Sequence, residues 1–414
     1  MTHTPNKLLS GNTDYQQVTF RRGVAIVDRA RAEIADGAFA VAHPAPLVAP
    51  LFAPFACKGL RLRNRIAMAP MTRWHSPDGT PGEDVASYYR RRARGGVGLI
   101  ITEGASIDHP SASGYDDVPC LSAGAPARGW AEVVRGVHAE GSAIAAQLWH
   151  VGAFRRPGVG PYPAALGVGP VAVRSAGRTI VRRLDAQGLK DVSASYGRAA
   201  RMAADIGFDA IEIHGAHGYL LDQFIRPASN PRRDRYGGSP SNRLRAALEV
   251  VAEIRRSIPA DMPVIFRFSQ WHMDDYAARI ADTPEELATI LRPLAAAGVD
   301  IFHASTRRFA DPAFEGSDKS LSRWTREITG KPVIAVGSVG LNKAHRSRAQ
   351  GGHDQASAET VAIDPVLEGL AAGDFDLIAV GRALLADADW ARKVAAAQFD
   401  AIAPLQPHHL KVLH

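Results

Sequence analysis

Two histidines and a tyrosine stand close together near the middle of the sequence, at His214, His217 and Tyr219. Two imidazole N–H groups can hold an oxygen on which negative charge develops, and a phenol can donate a proton as a general acid. The His-x-x-His spacing could also be half of a metal site, but no third histidine or carboxylate stands at ligand spacing, and we expect no metal. Each histidine could otherwise be a core residue, and Tyr219 could serve packing alone. The elements around these residues distinguish a catalytic role from a packing role.

A second group of residues suits an anion. Gly337 and Ser338 follow one apolar run, and Gly381 and Arg382 follow the last one. Glycine lets backbone N–H groups approach a phosphate closely, and arginine can bind two phosphate oxygens at once. These residues predict a phosphate site, although both glycines could merely end strands.

Short apolar runs alternate with longer helix-like segments from Leu51 onward, and these elements would position both groups. The runs are continuous rather than alternating, which is typical of parallel strands buried on both faces. Thr283, Pro284 and Glu286 form a capping-box pattern that predicts the start of one helix. The eight runs are Ile66–Ala69, Val97–Thr102, Ile144–Leu148, Ala210–Ile213, Val264–Phe268, Ile301–Ala304, Val333–Val336 and Leu377–Val380.

Eight strand–helix units predict an α/β protein with a single (β/α)₈ TIM barrel and long βα loops. A doubly wound open sheet is the alternative; it would be favoured by a GxGxxG segment directly after the first strand, which the sequence lacks. The largest insertion, 149–188, follows the third strand and predicts a lid or a binding loop. Because reactive groups of such barrels lie at the carboxyl ends of the strands, both groups of residues would share one rim. Other residues at these ends are Thr72, Gly104, Gln147 and Arg267.

Five segments of the chain carry a resemblance to a known family. They are RIAMAPMTR at 65–73, LIITEGASI at 99–107, AAQLWHVG at 145–152, EIHGAHGYLLDQFIRPASNPRRDRYGGSPSNR at 212–243 and DLIAVGRALLADADW at 376–390. In order and spacing they resemble the Old Yellow Enzyme family, the FMN-dependent ene-reductases. The resemblance runs from about Leu51 to Val394 and implies an NAD(P)H-dependent flavin oxidoreductase.

The resemblance implies a set of FMN-binding residues. Thr72 matches the residue that hydrogen-bonds the flavin C4 carbonyl, and Gln147 matches the amide that contacts the pyrimidine ring. Arg267 matches the cation near flavin N1 and O2, where negative charge accumulates on reduction. The remaining cofactor-binding positions are Ala69, Pro70, Met71, Gly104, Gly337, Ser338, Gly381 and Arg382.

The resemblance also assigns the substrate pocket. His214 and His217 match the pair that holds the carbonyl oxygen of the substrate, and Tyr219 matches the acid that protonates the α-carbon. Trp149 matches a bulky residue that shapes how the substrate lies, although it could be ordinary core. The implied reaction is reduction of the C=C bond of α,β-unsaturated carbonyl compounds, or similarly activated alkenes, by NADPH or NADH in a ping-pong mechanism.

Several other functions remain as alternatives. Relatives with an iron–sulfur domain are excluded because the chain has only two cysteines, Cys57 and Cys120, without CxxC spacing. A flavin-dependent isomerase would be favoured by the loss of Tyr219, which is present. A non-catalytic flavin-binding protein would be yellow but would turn over no acceptor.

Composition indicates an ordinary globular enzyme, with 46% hydrophobic and 22% charged residues. The net charge of +7 comes from scattered basic residues, so we expect no nucleic-acid partner. No apolar run approaches the ~18 residues of a membrane span, and we expect a cytoplasmic protein, with a homodimer left open. Residues 1–46, with a candidate helix at Val24–Ile34, are interpreted as an N-terminal extension of unknown role before an FMN-binding barrel at 47–414.

Overall fold

Eight parallel strands form a closed barrel in the computed structural model, which describes residues 44–344 and 357–413. The strands follow one another around the barrel in chain order, and the third pairs with the fourth. They are β1 (Ile66–Met68), β2 (Leu99–Ile101), β3 (Ala143–Trp149), β4 (Ala210–His214), β5 (Val264–Ser269), β6 (Ile301–Ser305), β7 (Val333–Val336) and β8 (Leu377–Val380). All eight predicted strands and the TIM-barrel prediction are confirmed.

Helices lie between consecutive strands, as the alternating pattern predicts. The helices are α1 (Glu83–Arg94), α2 (Ala125–Ala139), α3 (Ala186–Ile206), α4 (Leu220–Ile225), α5 (Pro240–Ser257), α6 (Pro284–Ala296), α7 (Leu321–Thr329), α8 (Asp364–Ala371), α9 (Arg382–Ala386) and α10 (Trp390–Ala395). At the start of α6 the Thr283 side chain accepts a hydrogen bond from the Glu286 backbone N–H, which confirms the predicted cap. The Glu286 carboxylate accepts from the backbone of Asp282 rather than Thr283, so only half of a capping box forms.

The amino end of the barrel is closed by an antiparallel hairpin, Phe55–Cys57 with Leu60–Leu62. Phe55, Leu60 and Leu62 pack onto apolar side chains of the barrel strands. Burial of this surface stabilises the closed barrel at about 25 cal/mol per Å² of apolar area. The barrel residues of this cluster are Ala67, Ala69, Leu99, Ile101, Ala143, Ala145, Ala210, Ile265, Ile301, Ile334, Leu377 and Ala379.

The insertion after β3 is more ordered than a plain loop. It contains a three-stranded sheet formed by Gly167–Gly169, Val173–Ser175 and Arg178–Arg183. A second insertion after β2 adds the short strands Ala105–Ile107 and Cys120–Leu121 beside β3. Both insertions rise from the carboxyl ends of barrel strands.

Two sequence predictions fall partly outside this description. Residues 1–43, which hold the candidate helix at Val24–Ile34 and most of the predicted extension, lie outside the described residues.

None of the helices between residues 44 and 413 that the structure describes is long and apolar enough to cross a membrane.

Candidate active site

The segment that carries the predicted catalytic residues leaves β4 through a strained turn. His214 ends the strand, His217 has a left-handed backbone with φ of 63°, and Tyr219 caps the amino end of α4. Such a conformation is uncommon for a side-chain-bearing residue and persists only where its surroundings impose it. Here the His217 backbone N–H donates to Ser269 Oγ at 2.9 Å, and the Gly218 N–H donates to the buried carboxylate of Asp222.

The turn brings the predicted substrate residues into one cluster. The His214 ring lies 5.1 Å from the His217 ring and 5.0 Å from the Tyr219 ring, each pair being nearly perpendicular. The Trp149 indole at the end of β3 lies 5.0 Å from Tyr219. All four side chains are at most 8% exposed, so a ligand that reaches them is largely removed from water.

Both histidines are neutral. Burial, and then the neighbouring Arg267 cation, lower the pKa of His214 and of His217 well below the usual range. His214 Nδ1 accepts a hydrogen bond from the Ala216 backbone N–H at 3.3 Å, which places the ring proton on Nε2. His214 therefore keeps one N–H donor.

Tyr219 is protonated over the whole physiological range. Burial raises the pKa of its phenol well above the usual value, and Tyr115 beside it raises the pKa further. The hydroxyl contacts Met273 Sδ at 3.3 Å, a weak acceptor. The phenol also hydrogen-bonds with the Tyr115 side chain, so the proton of Tyr219 is retained within the pocket.

A polar layer crosses the barrel below these rings. Gln147 Nε2 donates to Glu212 Oε1 at 2.7 Å, and His303 Nδ1 donates to Glu212 Oε2 at 2.7 Å. Burial acts to raise the pKa of Glu212, but His303 and the Arg267 cation hold it below the usual value. Because one amide N–H of Gln147 is bound to this carboxylate, its carbonyl oxygen and its second N–H are left for a ligand.

Arg267 supplies a positive charge at the mouth of the barrel. The side chain is 7% exposed, and one terminal nitrogen donates to Ser305 Oγ at 3.4 Å. Its buried Nε–H has no hydrogen-bond partner among the described residues. An unfilled N–H on a buried cation is costly and is typical of a group that waits for an acceptor.

The loops after β1 and β2 are tied to each other. Glu103 Oε2 accepts from the Arg73 backbone N–H at 2.8 Å, which anchors the loop that carries Thr72. A Cβ on Gly104 would lie 2.7 Å from the Trp149 indole, so glycine is required for that close approach. Burial raises the pKa of Glu103 to about 7.

The predicted phosphate residues meet at the ends of β7 and β8. Arg382 donates to Ser338 Oγ at 3.4 Å, and its buried Nη1 has no partner among residues 44–344 and 357–413. Burial, and then the nearby Arg307 cation, lower the pKa of Arg382 to about 10. Two neighbouring cations, together with the unpartnered Nη1 group of Arg382, could bind an anion here.

The two glycines at that end have different roles. A Cβ on Gly337 would lie 2.7 Å from the Phe309 backbone nitrogen, so the loop after β6 requires glycine there for packing. A Cβ on Gly381 would meet only ordinary contacts, the nearest being Met71 Sδ at 3.5 Å. Packing within the protein therefore accounts for the glycine at Gly337 but not for the one at Gly381.

These donors and acceptors fit a flavin mononucleotide. Arg382 and Ser338 suit the phosphate, whereas the unfilled Arg267 Nε–H and the Gln147 carbonyl suit the polar edge of a ring that carries both acceptors and an N–H. Residues Ala69, Pro70, Met71 and Thr72 lead out of β1 toward the same rim.

Sequence reasoning did not assign five of the residues at this site. Glu212 had one signal, a carboxylate within a continuous apolar strand, which is buried at such a position only when it is paired. The others depend on cross-strand neighbours that no local pattern shows. The five residues are Glu103, Glu212, His303, Ser305 and Arg307.

Comparison with known proteins gives consistent matches. Residues 50–400 match the family described as the NADH:flavin oxidoreductase / NADH oxidase family. The chain is 33% identical over 352 residues to an NADH oxidase of Thermoanaerobacter brockii, covering 83% of this chain and 50% of that protein. It is 39% identical over 244 residues to 12-oxophytodienoate reductase 7 of Oryza sativa subsp. japonica, covering 55% of this chain and 61% of that protein. The chain thus spans only part of the length of these two relatives.

A solved structure matches over nearly the whole barrel. Morphinone reductase in complex with tetrahydroNAD superposes with a TM-score of 0.72 and 28% sequence identity. The match covers 87% of this chain and 93% of that one.

Proposed function

The chain belongs to the NADH:flavin oxidoreductase / NADH oxidase family, and on that premise we propose that it reduces the C=C bond of α,β-unsaturated carbonyl compounds or similarly activated alkenes in a ping-pong mechanism. The resemblance to the Old Yellow Enzyme family is confirmed by these matches, and the chain is an oxidoreductase that uses FMN with a nicotinamide reductant. Two relatives are named for the reduction of oxo compounds, which supports a carbonyl-bearing substrate.

Residues at both ends of the site would hold the cofactor. Arg382 and Ser338 would bind the phosphate, and Arg267, Gln147 and Thr72 would contact the ring. Bound FMN supplies hydride transfer, from the nicotinamide in one half-reaction and to the alkene in the other. Because each ligand needs the same pocket, the reductant leaves before the alkene enters, which gives ping-pong kinetics.

His214 and His217 would hold the carbonyl oxygen of the substrate. When the β-carbon receives a hydride, negative charge develops on that oxygen, and N–H donors already in place stabilise it without reorganisation. Neutral imidazoles suit this role because a positive charge on either ring would add to that of Arg267 within a buried site. The perpendicular rings let two donors approach one oxygen from different directions.

Tyr219 would supply the proton to the α-carbon. Its phenol is protonated and buried, and its ring lies 5.0 Å from that of His214. The aromatic wall formed by Trp149 and Phe154 against Tyr219 excludes water from the transfer. This grouping of a phenol with two neutral histidines in one buried pocket is the observation that carries the proposal.

Isotope labelling tests the reaction directly. The FMN-loaded protein would be given 2-cyclohexen-1-one with a reductant deuterated at the transferred position, in ordinary water. We expect one deuterium at the β-carbon of cyclohexanone. With unlabelled reductant in D₂O, we expect one deuterium at the α-carbon before solvent exchange. If the reductant bleaches the flavin but neither this enone nor a nitroalkene gives a reduced product, the proposal is contradicted.

A further inference from the structure

Ser305, at the carboxyl end of β6, contacts two charged or titratable groups of the site. Its hydroxyl lies 2.8 Å from His217 Nε2 and 3.4 Å from a terminal nitrogen of Arg267. The serine is 2% exposed, so its hydroxyl is not served by bulk water. Ser305 thus connects the cation at the mouth of the barrel to one of the two substrate histidines.

The direction of these hydrogen bonds follows from the chemistry of the partners. A guanidinium can only donate, so Ser305 Oγ accepts from Arg267. The serine O–H must then find an acceptor, and His217 Nε2 is the only one within hydrogen-bond distance among the described residues. A buried hydroxyl without an acceptor would cost the desolvation free energy of that group. The serine therefore donates to Nε2.

The hydrogen bond that Ser305 donates to Nε2 determines which ring nitrogen of His217 carries the proton. His217 is held neutral by burial and by Arg267, so it carries one ring proton, and that proton must lie on Nδ1. His217 Nδ1 makes no hydrogen bond to other described residues and is free to donate to a ligand. The Trp271 indole stacks on the ring at 4.2 Å and keeps its plane fixed.

We propose that Ser305 is a positioning residue that sets the tautomer of His217, so that Nδ1–H is directed to the carbonyl oxygen of the substrate. The substrate part of this inference rests on the proposed function. His214 and His217 are then opposite tautomers, since the Ala216 backbone N–H leaves the proton of His214 on Nε2. Two different neighbours thereby make both histidines N–H donors.

Nuclear magnetic resonance of FMN-loaded protein with ¹⁵N-labelled histidine rings tests the tautomer. Long-range ¹H–¹⁵N spectra distinguish protonated from unprotonated ring nitrogens, and the signals lost in His217→Gln identify His217. In the unaltered protein we expect His217 to carry its proton on Nδ1. In Ser305→Ala we expect the proton to move to Nε2 or to exchange between both nitrogens.

Ser269→Ala is the matched control, because Ser269 also binds His217 but through the backbone N–H rather than the ring. We expect this variant to keep the Nδ1–H tautomer. Affinity for 4-hydroxybenzaldehyde, followed by flavin absorbance, should fall about tenfold in Ser305→Ala, as expected for the loss of one hydrogen bond. Ser305→Thr keeps the hydroxyl and should restore both the tautomer and the affinity.

An Nε2–H tautomer of His217 in the unaltered protein would overturn the proposal, and so would an unchanged tautomer in Ser305→Ala. The proposal would also fail if Ser305→Ala and Ser269→Ala lost the same affinity for 4-hydroxybenzaldehyde while His217 had the same tautomer in both variants. The tautomer is measured without turnover. An Nδ1–H tautomer that depends on Ser305 in a protein unable to reduce enones would contradict the proposed function and not the role of Ser305.

Discussion

The two ends of the barrel interior are built from the same eight strands with opposite chemistry. At the amino end the strands present apolar side chains, such as Leu99 and Ile265, onto the apolar face of the N-terminal hairpin. At the carboxyl end the same strands carry Glu212, Arg267 and His303, with donors and acceptors paired across strands. Apolar packing that stabilises the fold therefore lies at one end of the barrel axis, and polar groups suited to chemistry lie at the other.

The polar groups of the carboxyl end carry costs in folding free energy. Arg267 Nε and His303 Nε2 are buried without partners among the described residues, and His217 has a left-handed backbone. Each such feature disfavours folding by about 1–3 kcal/mol. A fold can retain them only if the apolar end supplies the stability, so substitutions at the two ends should have separable effects.

The largest effect is expected for Tyr219→Phe at the carboxyl end. Loss of a positioned general acid should slow alkene reduction by about 10²- to 10⁴-fold. Flavin reduction by the nicotinamide needs no such proton and should be unchanged. Stopped-flow absorbance of the two half-reactions measures both rates. If both rates fell together, Tyr219 would not be the proton donor.

Replacement of both His214 and His217 by alanine should have the next largest effect. Each lost hydrogen bond to a charged oxygen is worth about 1.5–3 kcal/mol, so the Kd for a phenolate ligand should rise by about 10²-fold or more. His138→Ala removes a histidine that pairs with Asp209 on the outside of the barrel and is the control. An affinity that matches this control would remove both histidines from the carbonyl site.

The amino end should respond in stability alone. Ile265→Ala removes a fully buried side chain and should lower the free energy of unfolding by about 2–5 kcal/mol, whereas Ile265→Val should cost about 0.5–1.5 kcal/mol. Below the unfolding transition, the flavin spectrum and the rates of both half-reactions should match those of the unaltered protein. Denaturant unfolding and stopped-flow measurements check both parts. A large loss of rate in folded Ile265→Ala would show that the two ends are not separable.

The smallest effect is a pH dependence at Glu103. Because burial raises its pKa to about 7, folding favours the protonated carboxyl. The resulting stability is present below the unfolded pKa and is lost as pH rises through about 7. Glu103→Gln cannot ionise at this position. Its free energy of unfolding relative to that of the unaltered protein should therefore increase by about 1–3 kcal/mol as the pH rises from about 5 to about 8. Unfolding in denaturant at both pH values measures this gain, and an equal difference at both would contradict it.

The sequence was sufficient to predict the eight barrel strands but not their cross-strand contacts. Continuous apolar runs predicted all eight strands because parallel strands are buried on both faces. The positions of His214, His217 and Tyr219 followed from the rule that barrel chemistry lies at strand carboxyl ends. The bonds from Ser305 to His217 and from Glu212 to His303 join different strands, and they depend on register that one-dimensional periodicity does not contain.

Glycine illustrates the same limit. Gly337 was predicted to admit a phosphate, which stays a prediction; the sequence did not show that the loop after β6 also requires glycine there for packing. The short strands at Gly167–Gly169, Val173–Ser175 and Arg178–Arg183 were also missed, because segments this short carry too little periodicity to distinguish them from a loop.

An anaerobic stopped-flow experiment on the unaltered, FMN-loaded protein measures both proposed half-reactions. The flavin absorbance would be followed first on addition of NADH or NADPH and then on mixing with 2-cyclohexen-1-one. We expect the yellow colour to bleach with the reductant and to return with the enone, at a rate that depends on enone concentration. A flavin that bleaches but stays reduced in the presence of enones would contradict the proposed function.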